Sequence, residues 1–144
     1  MDESLEMEAP RLYPTLRYED ADAAINWLKQ VVGFTERVVY RAGQIVMHAE
    51  LAFGSAMLML GQARDDRYAT MLGGRSGRRT DAIYVAVDDL DTLYARVLAD
   101  GAKIEAALHD TDYGSREFAC RDPEGNLWSF GTYWPKAHER PAPG

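Results

Sequence analysis

The sequence predicts an α+β fold of two βαβββ modules in tandem, forming a curved mixed sheet with a concave cavity. Three observations carry this expectation. The order strand, helix, three strands can be read twice along the chain. The two readings superpose at an offset of about 69 to 70 residues, with YEDADAAINWL over VDDLDTLYARV and SAMLML over GNLWSF. Each half alone leaves one sheet face uncovered, so the halves are expected to pack side by side around a concave surface.

The elements follow in order. Tyr13 to Tyr18 reads as a strand, Asp20 offers an N-cap, and ADAAINWLKQVV is a helix that Gly33 ends. Phe34 to Ala42 and Gln44 to Phe53 are strands around a Gly43 turn, and Gly54 and Ser55 turn the chain into AMLML. Residues 62–80 lack periodicity and read as a linker. AIYVAV restarts the pattern, Asp88 or Asp89 caps a second helix, and Leu90, Leu93, Tyr94, Val97 and Leu98 form its apolar face before Gly101. Strands at Lys103 to Ala107, Ser115 to Arg121 and Asn126 to Tyr133 complete the second module. The expected organisation is one domain over 11–135, with module one at about 11–61, the linker at about 62–80 and module two at about 81–135. Residues 1–10 and 136–144 read as frayed tails.

Composition removes several function classes. A net charge of −7 argues against a sequence-independent grip on nucleic acid. The basic run GGRSGRRT, residues 73–80, reads as a solvated loop. With no basic segment leading into an apolar run, and no apolar stretch long enough for a membrane span, a cytoplasmic protein without membrane association is expected. Cys120 is the single cysteine, so no disulfide forms within the chain.

LRYEDADAAINWL with VVGF behind the first strand, and DPEGNLWSF before the last, resemble the vicinal oxygen chelate superfamily over roughly Leu12 to Trp134. That superfamily holds glyoxalase I, extradiol dioxygenases, fosfomycin-modifying enzymes and bleomycin resistance proteins. The resemblance implies paired modules, a homodimer and, in the enzymes, a divalent metal held by His, Gln or Glu from the first and fourth strands of each module. The matching positions here are Tyr13, Met59, Ala82 and Ser129. None is a good ligand for a hard or borderline cation, and a one-residue slip does not rescue the set. The expectation is therefore no metal and no cofactor. The resemblance also matches Arg17 to an arginine that holds a ligand carboxylate in glyoxalase I.

Strand alternation projects the rest of the cavity. Tyr13 brings Thr15 and Arg17 to one face, Met59 brings Met57, and the Gly54-Ser55 hairpin pairs Glu50 with Met59 and adds His48. In the second module Ala82 brings Tyr84, and Ser129 brings Leu127, Gly131 and Tyr133. A four-residue DPEG turn pairs Phe118 with Ser129, adding Arg116 and Cys120. Trp128 and Phe130 then belong to the core. Arg17 and Arg116 are either anion-binding groups or members of structural ion pairs. The ligand-binding set is thus Tyr13, Arg17, His48, Glu50, Met57, Met59, Tyr84, Arg116, Phe118, Ser129 and Tyr133.

Such a lining suits the binding or sequestration of an organic small molecule in a metal-free cavity. The alternative is a divalent-metal-dependent lyase, isomerase or dioxygenase of the same superfamily. It would need an unusual site built from His48, Glu50 and the HDTDYG loop at His109, Asp110 and Asp112. Neither Cys120 nor Ser129 sits in the sequence context of a catalytic nucleophile.

Overall fold

Asp20 starts the first helix as its residue type suggests, its Oδ1 accepting the Ala23 N–H at 3.0 Å in the computed structural model, which describes residues 8–73 and 80–137. Most of the predicted tails and the GGRSGRRT loop at 74–79 lie outside the described residues. The chain divides into two units, Met1–Thr80 and Asp81–Gly144.

In the first unit, β1 (Thr15–Tyr18) leads to α1 (Ala21–Trp27), which continues as a π-helical turn at Leu28–Val32. Gly33 closes that turn at φ 109°, a backbone angle that a side chain resists, with its N–H donating to Leu28 O at 2.8 Å. The strands β2 (Thr35–Ala42), β3 (Ile45–Phe53) and β4 (Ala56–Gln62) complete a sheet of order β1-β4-β3-β2. The helix buries Ala24, Ile25, Leu28 and Val32, and the sheet buries Tyr18, Val46, Ala49, Leu51, Leu58 and Leu60. Alternation along β3 and β4 leaves His48, Glu50, Met57 and Met59 on the opposite face.

The second unit repeats the order. Here β5 (Ile83–Ala86), α3 (Leu90–Asp100), β6 (Ile104–Asp110), β7 (Arg116–Arg121) and β8 (Leu127–Gly131) give the sheet β5-β8-β7-β6. Asp89 is the cap of α3, accepting from Thr92 N at 3.2 Å. The core holds Leu90, Leu93 and Val97 from the helix and Phe118, Cys120, Trp128 and Phe130 from the sheet. Two four-stranded mixed sheets, each with its helix between the first and second strands, make this the expected α+β fold of tandem βαβββ modules.

Three expectations are corrected. The linker contains a helix, α2 (Arg67–Leu72), capped by Asp66 Oδ1 on Ala69 N at 2.9 Å; six residues are too few to show a period. Leu98 is half exposed, so the apolar face of α3 ends at Val97. The largest correction is the register of the last hairpin, which pairs Arg121 with Leu127, Ala119 with Ser129 and Phe118 with Phe130. The turn has five residues, Asp122–Asn126, because the Asp122 carboxylate draws Asn126 into it. Its Oδ1 accepts from Glu124 N and Asn126 N, both at 3.0 Å, and Oδ2 accepts from Asn126 Nδ2 at 2.9 Å. Gly125 supplies the φ of 87° that this turn needs. One extra turn residue moves every β7 side chain to the other face. Phe118 and Cys120 therefore lie in the core beside α3 rather than next to Ser129, and Arg116 shares their side of the strand.

Candidate functional site

The open face of the first sheet is built on the register Thr15 to Met59 and Glu50 to Met59, the pairing expected of the Gly54-Ser55 hairpin. His48 Nε2 donates to Glu50 Oε2 at 2.9 Å, and Arg37 Nη1 reaches Glu50 Oε1 at 2.7 Å. These contacts hold the Glu50 carboxyl below its usual range, the His48 hydrogen bond contributing most. Arg37 gets there through a β-bulge between Glu36 and Val38, and a second bulge leaves Met47 unpaired opposite Tyr40 and Arg41. Tyr40 stacks on His48 with ring centroids 6.2 Å apart.

Arg17 takes part in an ion pair. Its guanidinium makes a two-pronged pair with Asp66, Nη1 to Oδ1 at 3.3 Å and Nη2 to Oδ2 at 3.1 Å, and lies 4.8 Å from the centre of the Tyr68 ring. Arg17 depresses the Asp66 pKa, with help from the Ala69 N–H. The arginine thereby ties α2 to β1. Tyr13 is partly buried just before β1, and Met57 and Met59 are partly exposed.

The open face of the second sheet carries Tyr84, Ser129, Leu127, Ala119 and Glu117. Gly131 lies between Glu117 on β7 and Ala86 on β5. A Cβ there would fall 2.6 Å from Tyr84 Oη and 2.7 Å from Glu117 Cγ, so the missing side chain lets both groups lean over the strand. Tyr84 Oη donates to Tyr133 O at 2.6 Å, and Tyr113 Oη donates to Glu117 Oε2 at 2.7 Å. The Tyr113 and Tyr133 rings stand edge to face, 6.0 Å apart at 81°. Both Tyr84 and Tyr113 have raised pKa values, Tyr84 through burial and then the Glu117 charge, Tyr113 through its hydrogen bond to Glu117.

Within the first unit the structure thus brings together His48, Glu50, Met57, Met59 and Arg17, and within the second Tyr84, Ser129 and Tyr133. Phe118 does not join them, being 1% exposed in the core. Arg116 does not either, since it bridges Asp91 on α3 at 2.6 Å and Asp110 at 3.3 Å. His109 and Asp110 belong to β6 rather than to a loop, and His109 Nδ1 donates to Ala107 O at 2.7 Å. Sequence reasoning missed Arg37, Tyr40, Asp66, Tyr68, Tyr113 and Glu117. The Asp66 cap ahead of RYATML was a usable signal, whereas the Arg37 bulge had none.

The metal of the superfamily's enzymes does not fit these residues. Its four positions offer a phenol, a thioether, a methyl group and a hydroxyl at Tyr13, Met59, Ala82 and Ser129. Among the described residues no group of three or more His, Cys, Asp or Glu side chains is arranged to hold an ion. His48 and Glu50 are also engaged with each other and with Arg37.

Duplicated βαβββ units, each with one open sheet face, define a class, and the chain belongs to the Glyoxalase/Bleomycin resistance protein/Dioxygenase superfamily, whose profile matches residues 12–130. It is 32% identical over 130 residues to the uncharacterized protein Mb0911c of Mycobacterium bovis, covering 85% of this chain and 82% of that one. Its structure resembles that of TioX from Micromonospora sp. ML1, with a TM-score of 0.71 and 30% identity over 85% of this chain and 98% of TioX. It also resembles a glyoxalase/bleomycin resistance protein/dioxygenase family enzyme from Burkholderia phytofirmans PsJN, with a TM-score of 0.68 and 22% identity over 83% of this chain and 94% of that one. At that identity the likeness speaks for the fold alone. Among the described residues no helix is long and apolar enough to cross a membrane.

Proposed function

We propose that this protein binds an organic small molecule on the open faces of its sheets, in the manner of the bleomycin resistance branch of its superfamily, without metal-based catalysis. The observation that carries this reading is the exchange of a ligand set for an aromatic and thioether lining. Where an enzyme of the superfamily needs convergent donors, this chain has Tyr13, Met59, Ala82 and Ser129. In the first unit Met57 and Tyr40, and in the second Tyr84, Tyr113 and Tyr133, keep surface available for contact. The basic and acidic groups of the first sheet neutralise one another in the Arg37–Glu50–His48 and Arg17–Asp66 clusters.

The test is quenching of tryptophan fluorescence by a panel of aromatic and peptidic antibiotics, bleomycin among them, alongside elemental analysis of the purified protein. Saturable quenching by at least one compound at sub-stoichiometric metal is the expected result. About one tightly held metal per chain with turnover of a thiol adduct would overturn the proposal.

A further inference from the structure

We propose that Tyr84, Tyr113, Tyr133 and Glu117 form a subsite for the quaternary ammonium or protonated amine group of an organic ligand. This rests on the binding role just described and adds the chemical class of what is bound. The four residues come from three places in the second unit: β5, the turn after β6 with the start of β7, and the chain beyond β8.

Glu117 is the charged member of the four. Among the described residues, Glu50, Asp66, Asp91 and Glu105 each have an arginine within 3.1 Å. Glu117 has none. Its described hydrogen bond comes from a phenol, Tyr113 Oη on Oε2, which leaves Oε1 without a described donor. A phenol donating to a carboxylate orients it without neutralising it, so the negative charge remains to be met from outside.

The rings around it have the geometry for a cation. Tyr113 and Tyr133 stand nearly perpendicular at 6.0 Å and form two walls of a corner. Tyr84 leans over Gly131 from the other side, fixed by its hydrogen bond to Tyr133 O. The three residues are 41% (Tyr84), 60% (Tyr113) and 52% (Tyr133) exposed, so their faces are not used up in the core. Aromatic faces carry the negative lobe of the ring quadrupole and attract a cation within about 6 Å. Rings and carboxylate therefore favour the same sign of charge, and an anion would be repelled by both. A flat neutral molecule would stack on the rings but gain nothing from Glu117.

The measurement is a titration of the full-length, isotopically labelled protein, followed by amide and tyrosine ring resonances. The probes are choline and 3,3-dimethyl-1-butanol, which has nearly the same shape and no charge. Choline should give saturable shifts centred on Glu117, Gly131 and Tyr133, and the neutral alcohol should bind about tenfold more weakly or worse. Glu117→Gln and Tyr133→Leu should each weaken choline about tenfold, while Tyr133→Phe, which keeps the ring, stays within about twofold. A melting curve for each variant establishes that it is folded. Equal binding of the two probes, no saturable shift, or an unaltered Glu117→Gln would overturn the subsite. If choline fails while an antibiotic still quenches tryptophan fluorescence, the subsite is wrong and the binding role stands. If both fail, the binding role falls with it.

Discussion

Asp122→Ala should be among the most damaging single substitutions in the second unit, although Asp122 lies in a turn. Its carboxylate accepts from Glu124 N and Asn126 N at 3.0 Å, Asn126 Nδ2 at 2.9 Å and Trp128 Nε1 at 3.1 Å. Trp128 is 0% exposed and Asn126 7%, so water cannot readily replace the lost acceptor for either. A buried donor left without a partner costs about 1–3 kcal/mol. Two or three such donors give an expected loss of about 3–5 kcal/mol, since the outward Glu124 N–H can be rehydrated. In a chain of this size that lowers Tm on the order of 10 °C. Asp122→Asn is the sharper probe. With its carbonyl on the two backbone N–H groups, its amide must face the Trp128 indole and the Asn126 amide, donor against donor. Its loss should lie between wild type and Asp122→Ala. Urea unfolding followed by tryptophan fluorescence measures both, and a double-mutant cycle with Trp128→Phe should show coupling of about 1 kcal/mol or more. A loss below about 0.5 kcal/mol for Asp122→Ala, the level of an ordinary surface change, would refute the argument.

Other substitutions test the remaining clusters. Arg17→Met removes the Asp66 pair and the Tyr68 contact, so amide exchange across Arg67–Leu72 should accelerate on the order of tenfold while β5 to β8 are unaffected. Cys120 is fully buried, and burial, reinforced by Asp122, pushes its thiol up to about 12. It should resist a disulfide reagent at pH 8 in the native protein and react on unfolding. Because the folded state keeps this proton longer, the associated stability is full below the ordinary thiol value and falls as pH rises from there toward 12, a slope that Cys120→Ala should remove. Glu50 has the opposite sign. Its depressed pKa gives stability that is present above the normal carboxylate range and lost as pH falls through the folded value, so Glu50→Gln should flatten the acid limb of a stability-against-pH curve.

The fold was legible because it rests on strong local signals repeated twice. Asp20 and Asp89 cap, Gly33 and Gly101 terminate, and the hairpin at Gly54-Ser55 is short enough that turn chemistry fixes its register. That register placed His48 and Glu50 on one face with Met59. The DPEGN turn shows where such reasoning ends. Whether Asn126 belongs to the turn or to β8 depends on the Asp122 side chain capturing its N–H and its amide, and both outcomes read alike in sequence. The price of that single residue was the placement of Arg116, Phe118 and Cys120. Glu117 was hidden by the same slip, since in the expected register it pointed into the core. Asp66 could be read as a cap ahead of RYATML, but a helix of six residues leaves no periodic trace that would set its cap against β1, so the ion pair with Arg17 did not follow from the cap alone.

The duplication also explains why the two sheets present different chemistry on nearly the same backbone. Glu50 pairs with Met59 in the first unit as Ala119 pairs with Ser129 in the second. Counting two residues back from each, His48 corresponds to Glu117. By the parallel registers, Arg17 beside Gly61 corresponds to Ala86 beside Gly131. Where the first sheet has a carboxylate with Arg37 and His48 around it, the second has a methyl group at Ala119. Its carboxylate stands at the histidine position instead, and the neighbouring arginine is replaced by alanine. The first face can therefore satisfy its charges internally, whereas the second keeps a negative charge among tyrosines. A common backbone thus requires neither a common ligand preference nor a shared metal set. The cation subsite gives the second face a preference for one sign of charge, whereas Met57, Met59 and Tyr40 on the first offer contact surface with little preference for charge.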